Sequence, residues 1–444
     1  MSNQHTDKRT ITAMLRAVSK FGGSSVADRA CIVRVAALVS FQGQPLSGRN
    51  HLVVSAPGKR ESSDVKVTDM LLQAHSAAQA RNRDTYDGVM EKIGARFSGL
   101  TQGNAALDKA LDSLAGDIYD FASSASATGA FSASRGEYLN GMVMAHETGF
   151  EFVDPADEFI IFTEGSHELD LKKSLAAIRR RCAGSGGFVI PGFFGGVGGI
   201  ASPSTTATFS RGGSDVTASL VAAALAEDFC ADEHGSNRAR LLGRAHLLDE
   251  CSGAHHVVHE NFTDVDGVLS ADPRICPGAT RIPKLSYAQT HALAQAGAAV
   301  LHPDAVTPLV ARKVPIHVRS TWEPHGQGTW ISEHPEALAP QAGAHEDDEA
   351  LSRGVALSVA GRSSSSSEGA TVSVICRDVA DEARGLRARR ALQARVEEAI
   401  DARGITRFGA AESPSSLSVS VDIADARELN AAVAAAFGSI AEDP

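Results

Sequence analysis

The sequence predicts an α/β protein in which a mainly parallel sheet is followed by a small α+β unit. Short apolar strands alternate with helical stretches from residue 17 to about residue 332. That alternation is typical of parallel strands joined by helical crossovers. A linker rich in Ala, Pro and acidic residues, 332–352, separates this region from a shorter set of strands and helices. Because such sheets bind ligands beyond the carboxyl ends of their strands, motifs at those turns are the first candidates for a site.

The composition is that of a soluble globular protein, with 43% hydrophobic and 21% charged residues among 444. A net charge of -11 argues against a nucleic-acid partner, although a local basic pocket can still bind a small anion. The first residues lack an apolar leader, and no window approaches the ~18 apolar residues of a membrane span. We therefore expect a cytoplasmic protein without a membrane partner. Six scattered cysteines indicate reduced, mostly buried thiols.

The first predicted strand ends at Lys20, directly before Gly22 and Gly23, and a helix follows. Glycines let a backbone turn sharply and approach a ligand closely, and the N-terminus of the next helix attracts anions. A lysine beside such a turn supplies a point charge suited to phosphate. The pattern indicates a phosphate-binding turn, with an ordinary strand-to-helix turn as the alternative.

Two further turns offer candidate ligands for a small substrate. A Ser-Ala-Pro-Gly turn follows the strand at 51–54, and Thr68 then begins a helix that runs to about Ala80. The Thr68 hydroxyl is suited to holding a carboxylate or to capping the helix. Glu137 is expected in the first turn of a later helix, where acidic residues are also common for dipole reasons alone.

The segment 207–225 is harder to explain as a plain turn, because it sets Arg211, two glycines, Ser214 and Asp215 between a strand and an alanine-rich helix. The Arg211 guanidinium matches the geometry of a carboxylate. The glycines expose backbone N–H groups. Asp215 is suited to orienting Lys20 or an Mg²⁺-bound phosphate.

A fourth turn, within 260–275, is rich in acidic residues and ends with Arg274. Its D-x-D-G pattern resembles the start of a calcium-binding loop. The terminal Glu of such a loop is absent, which argues against calcium.

The order and spacing of these motifs resemble those of the aspartate kinases, members of the amino acid kinase fold family. The similarity covers nearly all of residues 18–331 and is strongest toward the lysine-sensitive bacterial subgroup, through SAPGKR, PGFFG and ENFTDVD. The matching segments are KFGGSSV, VVSAPGK with KVTDMLL, SRGEYL, PGFFG, TFSRGGSDVTASLVAAAL, ENFTDVDGVLSADPR, LSYAQTHALAQAGAAVLHPDAV and PIHVRSTWEPHGQGTWI.

The resemblance implies a three-layer αβα sandwich around a mainly parallel sheet, in a catalytic domain at 17–331 with an insertion at about 230–259. A linker at 332–352 and a single ACT-like regulatory domain at 353–440 would follow. The implied reaction is ATP-dependent phosphorylation of the β-carboxylate of L-aspartate, with Mg²⁺, to 4-phospho-L-aspartate. That reaction is the entry to lysine, threonine and methionine synthesis through the diaminopimelate pathway.

The resemblance also implies roles for individual residues. Lys20 and Asp215 form the catalytic pair, in which Lys20 holds the γ-phosphate and Asp215 organises Lys20. Arg211 grips the α-carboxylate of aspartate and Glu137 its α-ammonium group. No protein residue is assigned as a metal ligand. The remaining positions implied are Gly22, Gly23 and Ser24 at the phosphates, Thr68 and Ser214 at aspartate, and Thr263, Asp264 and Arg274 at the nucleotide.

Three departures from the family pattern stand out. Leu269 and Ala299 replace a tyrosine and a lysine that touch nucleotide in many relatives, so weaker ATP binding is expected. About thirty residues are inserted between Phe229 and Glu260. Two Cys-x-x-x-His pairs in that insertion, beginning at Cys230 and Cys251, are suited to zinc, while a surface excursion or foreign translated sequence explains the insertion equally well.

The third departure is the single ACT-like unit, where relatives usually have two. Because no clear strand follows its last helix, we expect residues 355–360 to complete its sheet. An amino-acid effector, lysine or threonine, and pairing into a homodimer or higher homo-oligomer follow from the resemblance, although feedback control stays open. Two rival functions also stay open: a kinase of another amino-acid carboxylate in specialised metabolism, and a catalytically impaired homologue with a regulatory or assembly role.

Overall fold

The computed structural model describes residues 16–41, 44–46, 48–102, 104–124, 127–182, 186–210, 212–230, 257–297, 301–333, 356–363, 370–376, 382–413, 416–422 and 426–441. Strands and helices alternate up to residue 332, as the apolar pattern predicts. The strands of this part are β1 (Arg16–Phe21), β2 (Ser40–Phe41), β3 (Gln44–Pro45), β4 (His51–Val54), β5 (Glu151–Phe152), β6 (Ile161–Phe162), β7 (Phe188–Pro191), β8 (Phe194–Val197), β9 (Thr206–Thr208), β10 (Val257–Thr263), β11 (Val268–Leu269), β12 (Arg281–Ile282), β13 (Lys284–Ser286), β14 (Ile316–Ser320) and β15 (Thr329–Ser332). The helices are α1 (Arg29–Val39), α2 (Val67–Gln79), α3 (Arg83–Thr101), α4 (Ala105–Ala122), α5 (Gly129–Thr148), α6 (Leu171–Cys182), α7 (Gly213–Cys230), α8 (Tyr287–Gln295) and α9 (Pro303–Ala311), with a short 3-10 helix at Gly23–Val26.

The main sheet has eight strands in the order β13-β15-β14-β10-β1-β4-β7-β5. Its neighbouring strands run parallel except for the β14–β15 pair. β1 lies in the interior of the sheet, and Lys20 is in register with Asn261 of β10 on one side and Val53 of β4 on the other. The turns that follow β1, β4 and β10 therefore meet at one edge of the sheet.

Helices cover both faces of this sheet, which confirms the three-layer αβα sandwich. Alternate residues of β1 divide between two apolar clusters, with Val18 in one and Phe21 in the other. The cluster around Phe21 includes side chains of α1 to α5, and the cluster around Val18 includes side chains of α6 to α9. Helix α7 is buried along most of its length, and its many alanines let it pack between the sheet and outer helices.

The C-terminal part forms its own antiparallel sheet in the order β16-β17-β19-β18. β16 pairs along β17, so the expectation that the 355–360 segment completes this sheet is confirmed for residues 356–360. The sequence analysis did not single out β18 as a strand. The elements are β16 (Ala356–Ser363), β17 (Ala370–Cys376), α10 (Glu382–Asp401), β18 (Arg407–Ser413), β19 (Ser416–Val421) and α11 (Ala426–Ala441).

Direct contacts join the small sheet to the segment that follows β10. The Val359 amide donates to the Ser270 carbonyl at 2.9 Å. The Gln289 side chain donates to the Cys376 carbonyl at 3.1 Å. Ala271 and Cys276 are buried in the same apolar cluster as the side chains of the small sheet. The exact domain boundaries, 17–331, 332–352 and 353–440, stay a prediction, since most of the linker lies outside the described residues.

Four of the six cysteines can be compared with the expectation of mostly buried thiols. Cys31, Cys182, Cys276 and Cys376 are buried and form no disulfide. Within the same ranges, no helix combines the length and apolar character needed to cross a membrane.

Two helical glycines provide a matched test of this packing. A Cβ on Gly141 of α5 would lie 2.6 Å from the Pro191 side chain, whereas a Cβ on Gly88 of α3 would meet nothing within 4 Å. We expect Gly141→Ala to destabilise the protein by about 1–3 kcal/mol through overpacking. Gly88→Ala should stabilise it by about 0.5–1 kcal/mol, because alanine loses less backbone entropy in a helix. Urea unfolding of both variants measures these changes, and equal effects at the two sites would contradict the described packing of α5 against β7.

Candidate active site

Lys20 lies at the end of β1 and makes an ion pair with Asp215 near the start of α7. The Lys20 Nζ is 2.7 Å from the Asp215 Oδ1, and the two side chains are 12% and 17% exposed. The turn after Lys20 has no room for a side chain at Gly23, because a Cβ there would lie 2.9 Å from the Ala56 carbonyl oxygen, whereas a Cβ on Gly22 would only touch Nζ at 3.5 Å. The neighbouring Ser24 is exposed. This geometry leaves backbone N–H groups and one ammonium group beside the start of the 3-10 helix.

The turn that leads into α7 packs against the turn between β7 and β8. A Cβ on Gly192 would lie 2.6 Å from the Ser214 side chain, and a Cβ on Gly213 would lie 2.7 Å from the Phe193 Cα. Phe193 has a φ of 82°, and its amide donates to the Thr217 hydroxyl at 3.2 Å. Residues other than glycine seldom adopt that left-handed backbone conformation, so the packing of the two turns must hold Phe193 in it. Ser214 is thereby fixed next to Asp215.

Residues 55–58, here called the 55–58 loop, connect the Lys20 turn to helix α5. The Gly58 amide donates to the Gly23 carbonyl at 2.8 Å, and a Cβ on Gly58 would overlap the Gly23 backbone at 2.6 Å. At the other end of the loop, the Asn140 side chain donates to the Ser55 carbonyl at 2.7 Å. The loop therefore bridges the β1 turn and the residues of α5 that face it.

Glu137 lies against the 55–58 loop, but not where the sequence analysis expected it. Helix α5 begins at Gly129, so Glu137 is in its interior, and the prediction that Glu137 lies in the first turn is wrong. The reason is that the small residues after Thr128 extend the helix, and Thr128 makes no side-chain capping bond that would mark its start. A helix-dipole explanation for this acid therefore fails.

The Glu137 carboxyl is in an unusual electrostatic setting. Burial raises its pKa to about 8, and a hydrogen bond from the Ala56 backbone together with the charge of Arg135 only partly opposes this rise. The residue is 6% exposed, and its Oε2 has no hydrogen-bond partner among the described residues. A buried carboxyl group in this state is suited to receiving a cationic group, which would restore its charge.

Thr68 is the second residue of α2 and is half-buried. The N-cap is Lys66, which makes no side-chain capping bond, so the alternative in which Thr68 merely caps the helix is not supported. The predicted helix itself, expected from Thr68 to about Ala80, is confirmed as Val67–Gln79.

The predicted nucleotide residues follow β10, the strand next to β1. Phe262 stacks on Phe21 with ring centroids 4.5 Å apart, so Thr263 and Gly22 follow paired positions at the same edge of the sheet. The Thr263 carbonyl accepts from the Thr321 amide at 2.9 Å. Thr321 in turn shares a 2.7 Å hydrogen bond with Ser25 of the Lys20 turn. Asp264 at this edge is exposed.

Arg274 extends into solvent on the same side, with 87% of its side chain exposed and a 2.6 Å ion pair to Asp272. The acid-rich turn is not arranged as a calcium loop, because Asp266 accepts from the Gly328 amide at 3.2 Å and lies 3.8 Å from Arg281. Over the described ranges, no three His, Cys, Asp or Glu side chains are grouped as metal ligands.

Some predicted features fall outside the described residues. These are Arg211, Ala299 and most of the insertion, including the His234, Cys251 and His255 of the two suggested zinc pairs. Leu269 is described and lies in β11, half-buried and in register with Arg281 of β12. Its carbonyl accepts from the Ser358 hydroxyl at 3.4 Å, which links this position to the small sheet.

The sequence analysis missed a buried charge cluster directly beneath the site. Glu260 of β10 accepts from Arg49 at 2.7 and 2.9 Å, from Arg319 at 2.8 Å and from Ser19 at 2.8 Å. Burial alone would raise the pKa of Glu260, but the hydrogen bonds and positive charge of Arg49, with Arg319, lower it to about 2. Charged residues inside the apolar strands HENF and IHVRS were the available signal.

A second missed group is His259, which is fully buried on the face of β10 toward the Lys20–Asp215 pair. Burial lowers its pKa to about 4, with Lys20 opposing and Asp215 favouring the protonated form. A neutral imidazole therefore lies behind the ion pair at physiological pH, so it adds no competing charge there.

The raised pKa of Glu137 predicts a pH-dependent cost to stability. The unfolded carboxyl loses its proton near pH 4.5 while the folded one keeps it to about pH 8, so stability falls between those values as pH rises. Glu137→Gln should remove this cost and stabilise the ligand-free protein by a few kcal/mol, roughly, at pH 9 but little at pH 4.5. Urea unfolding across this range measures the effect, with Glu91→Gln on the exposed face of α3 as control. An equal gain at both ends of the range would contradict the assigned environment.

Comparison with known proteins identifies relatives of the chain. A model described as the amino acid kinase family matches residues 256–320. Aspartokinase 3 of Bacillus subtilis (strain 168) is 29% identical over 323 residues, which are 71% of this chain and 63% of the relative. An aspartokinase of Rickettsia prowazekii is 35% identical over 144 residues, which are 32% of this chain and 26% of the relative. The chain thus spans less than two thirds of the length of these relatives.

Two solved structures share the fold. The crystal structure of Clostridium acetobutylicum aspartate kinase has a TM-score of 0.66 and 23% identity, covering 96% of this chain and 99% of that one. E. coli aspartokinase III in complex with aspartate and ADP has a TM-score of 0.55 and 20% identity, covering 92% and 79% of the two chains. With its three-layer sandwich, the chain shares the fold of these aspartate kinases, its residues 256–320 match the amino acid kinase family model, and the relatives that it resembles are aspartokinases.

Proposed function

We propose that this protein is an aspartate kinase, which transfers the γ-phosphoryl group of ATP to the β-carboxylate of L-aspartate and forms 4-phospho-L-aspartate. The observation that carries the proposal is the 2.7 Å ion pair between Lys20 and Asp215, with Ser214 next to Asp215 on the same helix. Consecutive residues of α7 would then face the phosphate donor and the aspartate acceptor. Relatives named aspartokinases, and a shared fold with an aspartokinase in complex with aspartate and ADP, support the same reaction.

On the donor side, Lys20 and the backbone of Gly22, Gly23 and Ser24 would bind the ATP phosphates. The glycine turn suits this role because Gly22 and Gly23 carry no side chain that would keep an anion from the backbone, and successive backbone N–H groups in such a turn can bind one. Lys20 would stabilise the charge on the transferred phosphoryl group, and Asp215 would hold its ammonium group in place. Positioning and electrostatic stabilisation are most of what a phosphoryl transferase supplies.

Thr263, Asp264 and Arg274 would hold the rest of the nucleotide, at the edge where β10 ends beside β1. Mg²⁺ prefers a few carboxylates together with phosphate oxygens and water, so it does not require a dense cluster of acidic ligands. Its role when bound would be to neutralise phosphate charge. Asp264 is exposed at this edge and is chemically suited to such an ion or to the ribose.

On the acceptor side, Glu137 would receive the α-ammonium group of aspartate, while Thr68, Ser214 and Arg211 hold the carboxylates. The buried Glu137 carboxyl with its raised pKa supports this assignment, since a bound ammonium group would lower that pKa and the carboxyl would release its proton to solvent. The β-carboxylate is ionised at neutral pH and attacks without a general base.

The small sheet would serve as the regulatory unit and take an amino-acid effector, lysine or threonine. Its contacts with Ser270, which follows β11, and with Gln289 of α8 give it a physical connection to the part of the chain after β10. The proposal also includes pairing into a homodimer or higher oligomer through this unit. It further includes a cytoplasmic location and a place at the entry to lysine, threonine and methionine synthesis.

Two other functions are candidates. The second candidate is a kinase of another amino-acid carboxylate, and the third is an impaired homologue, which is motivated by Leu269 and Ala299.

A hydroxamate assay with ATP, Mg²⁺ and a panel of amino-acid carboxylates separates these functions. We expect acyl-phosphate formation with L-aspartate and at least tenfold less with L-glutamate, because the added methylene moves the reacting carboxylate away from Lys20. Turnover only with another acid would support the second candidate. The absence of turnover with every acid would overturn the kinase proposal.

Lys20→Ala tests the donor side. We expect a loss of at least 10²-fold in kcat and a clearly smaller loss of stability, about 1–2 kcal/mol, because Asp215 loses its ion-pair partner but keeps some exposure to solvent. Lys59→Ala, at an exposed position of the next turn, is the control and should retain activity. Equal losses of kcat and of folded protein in the Lys20 variant would contradict the assigned role.

A further inference from the structure

Arg96 is a buried arginine on α3 that the proposed reaction does not use. The residue is 5% exposed, although α3 is an outer helix whose other arginine, Arg83, has 59% of its side chain exposed. Burying a guanidinium group is costly unless several acceptors surround it. The acceptors around Arg96 therefore indicate which segments this buried charge holds together.

The guanidinium group joins three separate segments. Its Nη1 donates to the Asp64 Oδ2 at 2.5 Å. Its Nη2 donates to the Ala27 carbonyl at 3.2 Å and also to the Gly58 carbonyl. Arg60 donates to the same Asp64 carboxylate. The hydrogen bonds from Arg60 and Arg96 keep the pKa of Asp64 well below its usual range, so Asp64 stays ionised.

Two of these partners belong to the turns that form the candidate active site. Ala27 directly follows the short 3-10 helix Gly23–Val26, which continues the Lys20 turn. Gly58 ends the 55–58 loop, and its amide donates to the Gly23 carbonyl at 2.8 Å. Both glycines lack room for a Cβ, so their backbones are already in contact. Arg96 holds this contact from behind, through one carbonyl on each side.

The 55–58 loop carries the same constraint to the acceptor side. Ala56 donates from its backbone to the Glu137 carboxyl, and a Cβ on Gly136 would lie 2.8 Å from the Ala56 Cβ. A displacement of Gly58 would therefore alter both the turn beside Lys20 and the surroundings of Glu137. Only a planar group with several N–H donors can satisfy the two carbonyls and the carboxylate at once, which lysine cannot do.

We propose that Arg96 is a positioning residue for phosphoryl transfer, which fixes the spacing between the Lys20 turn and the 55–58 loop and so couples the donor side to the acceptor side. This inference rests on the proposed function. A misplacement of about 1 Å between reacting groups is enough to cost on the order of 10²-fold in rate.

The test compares Arg96→Met and Arg96→Lys with Arg83→Met as the matched control on the same helix. Steady-state kinetics with ATP and aspartate should show kcat/KM reduced by 10-fold to 10²-fold, roughly, for both substrates in Arg96→Met. Arg96→Lys should recover only part of that loss, because it restores the charge without the paired donors. Arg83→Met should retain the kinetic constants of the unsubstituted protein.

Hydrogen exchange separates positioning from a merely structural role. In folded Arg96→Met, the amides of residues 23–27 and those of Ser55, Ala56 and Gly58 should exchange faster, while those of the main sheet keep their protection. Unchanged kinetic constants, or faster exchange confined to α3, would overturn the proposal. Inactivity of the unsubstituted protein and of Arg83→Met would instead overturn the proposed function. If Arg96→Met does not fold, Asp64→Asn serves as the second variant, and unchanged exchange of the same two segments in it would also overturn the proposal.

Discussion

The ion pair between Lys20 and Asp215 is the interaction on which the candidate site depends. It joins the end of an interior strand to the start of α7, a helix that is buried along most of its described length, so the site is built on two elements of the core. The pair is only partly exposed, which strengthens its electrostatic interaction relative to a surface pair. The turn after Lys20 and Ser214 are held near these two residues by close backbone packing at Gly23, Gly58, Gly192 and Gly213.

Two buried glutamates near this pair differ in charge because they have different hydrogen-bond partners. Glu260, beneath the sheet edge, is fully buried but remains ionised because two arginines and a serine satisfy it. Glu137, also buried, lacks such partners and holds its proton. Of these two buried glutamates, Glu260 is therefore ionised and Glu137 is protonated. Glu137 is the one of the two whose charge can change when a cationic ligand binds.

Local sequence signals were sufficient for β1, for the glycine turn after it and for helix α7, because each depends on a few neighbouring residues such as Lys20 with Gly22 and Gly23, but not for every strand, since β18 was not predicted. They were not sufficient for Glu137, since α5 starts without a side-chain cap and its first turn could not be recognised. They also missed the Glu260 and Arg96 clusters, whose partners are brought together only by the fold. Arg96 meets Gly58 and Ala27 from 38 and 69 residues away.

A double-mutant cycle on Lys20 and Asp215 tests the central claim most directly. Lys20→Met, Asp215→Asn and the double variant are compared by kcat/KM for phosphoryl transfer to aspartate. If Asp215 acts by holding Lys20, Asp215→Asn should lower kcat/KM by at least tenfold in the unsubstituted protein and by less than threefold when Lys20 is already replaced. An equal loss in both backgrounds would show that the two side chains act independently and would contradict the account.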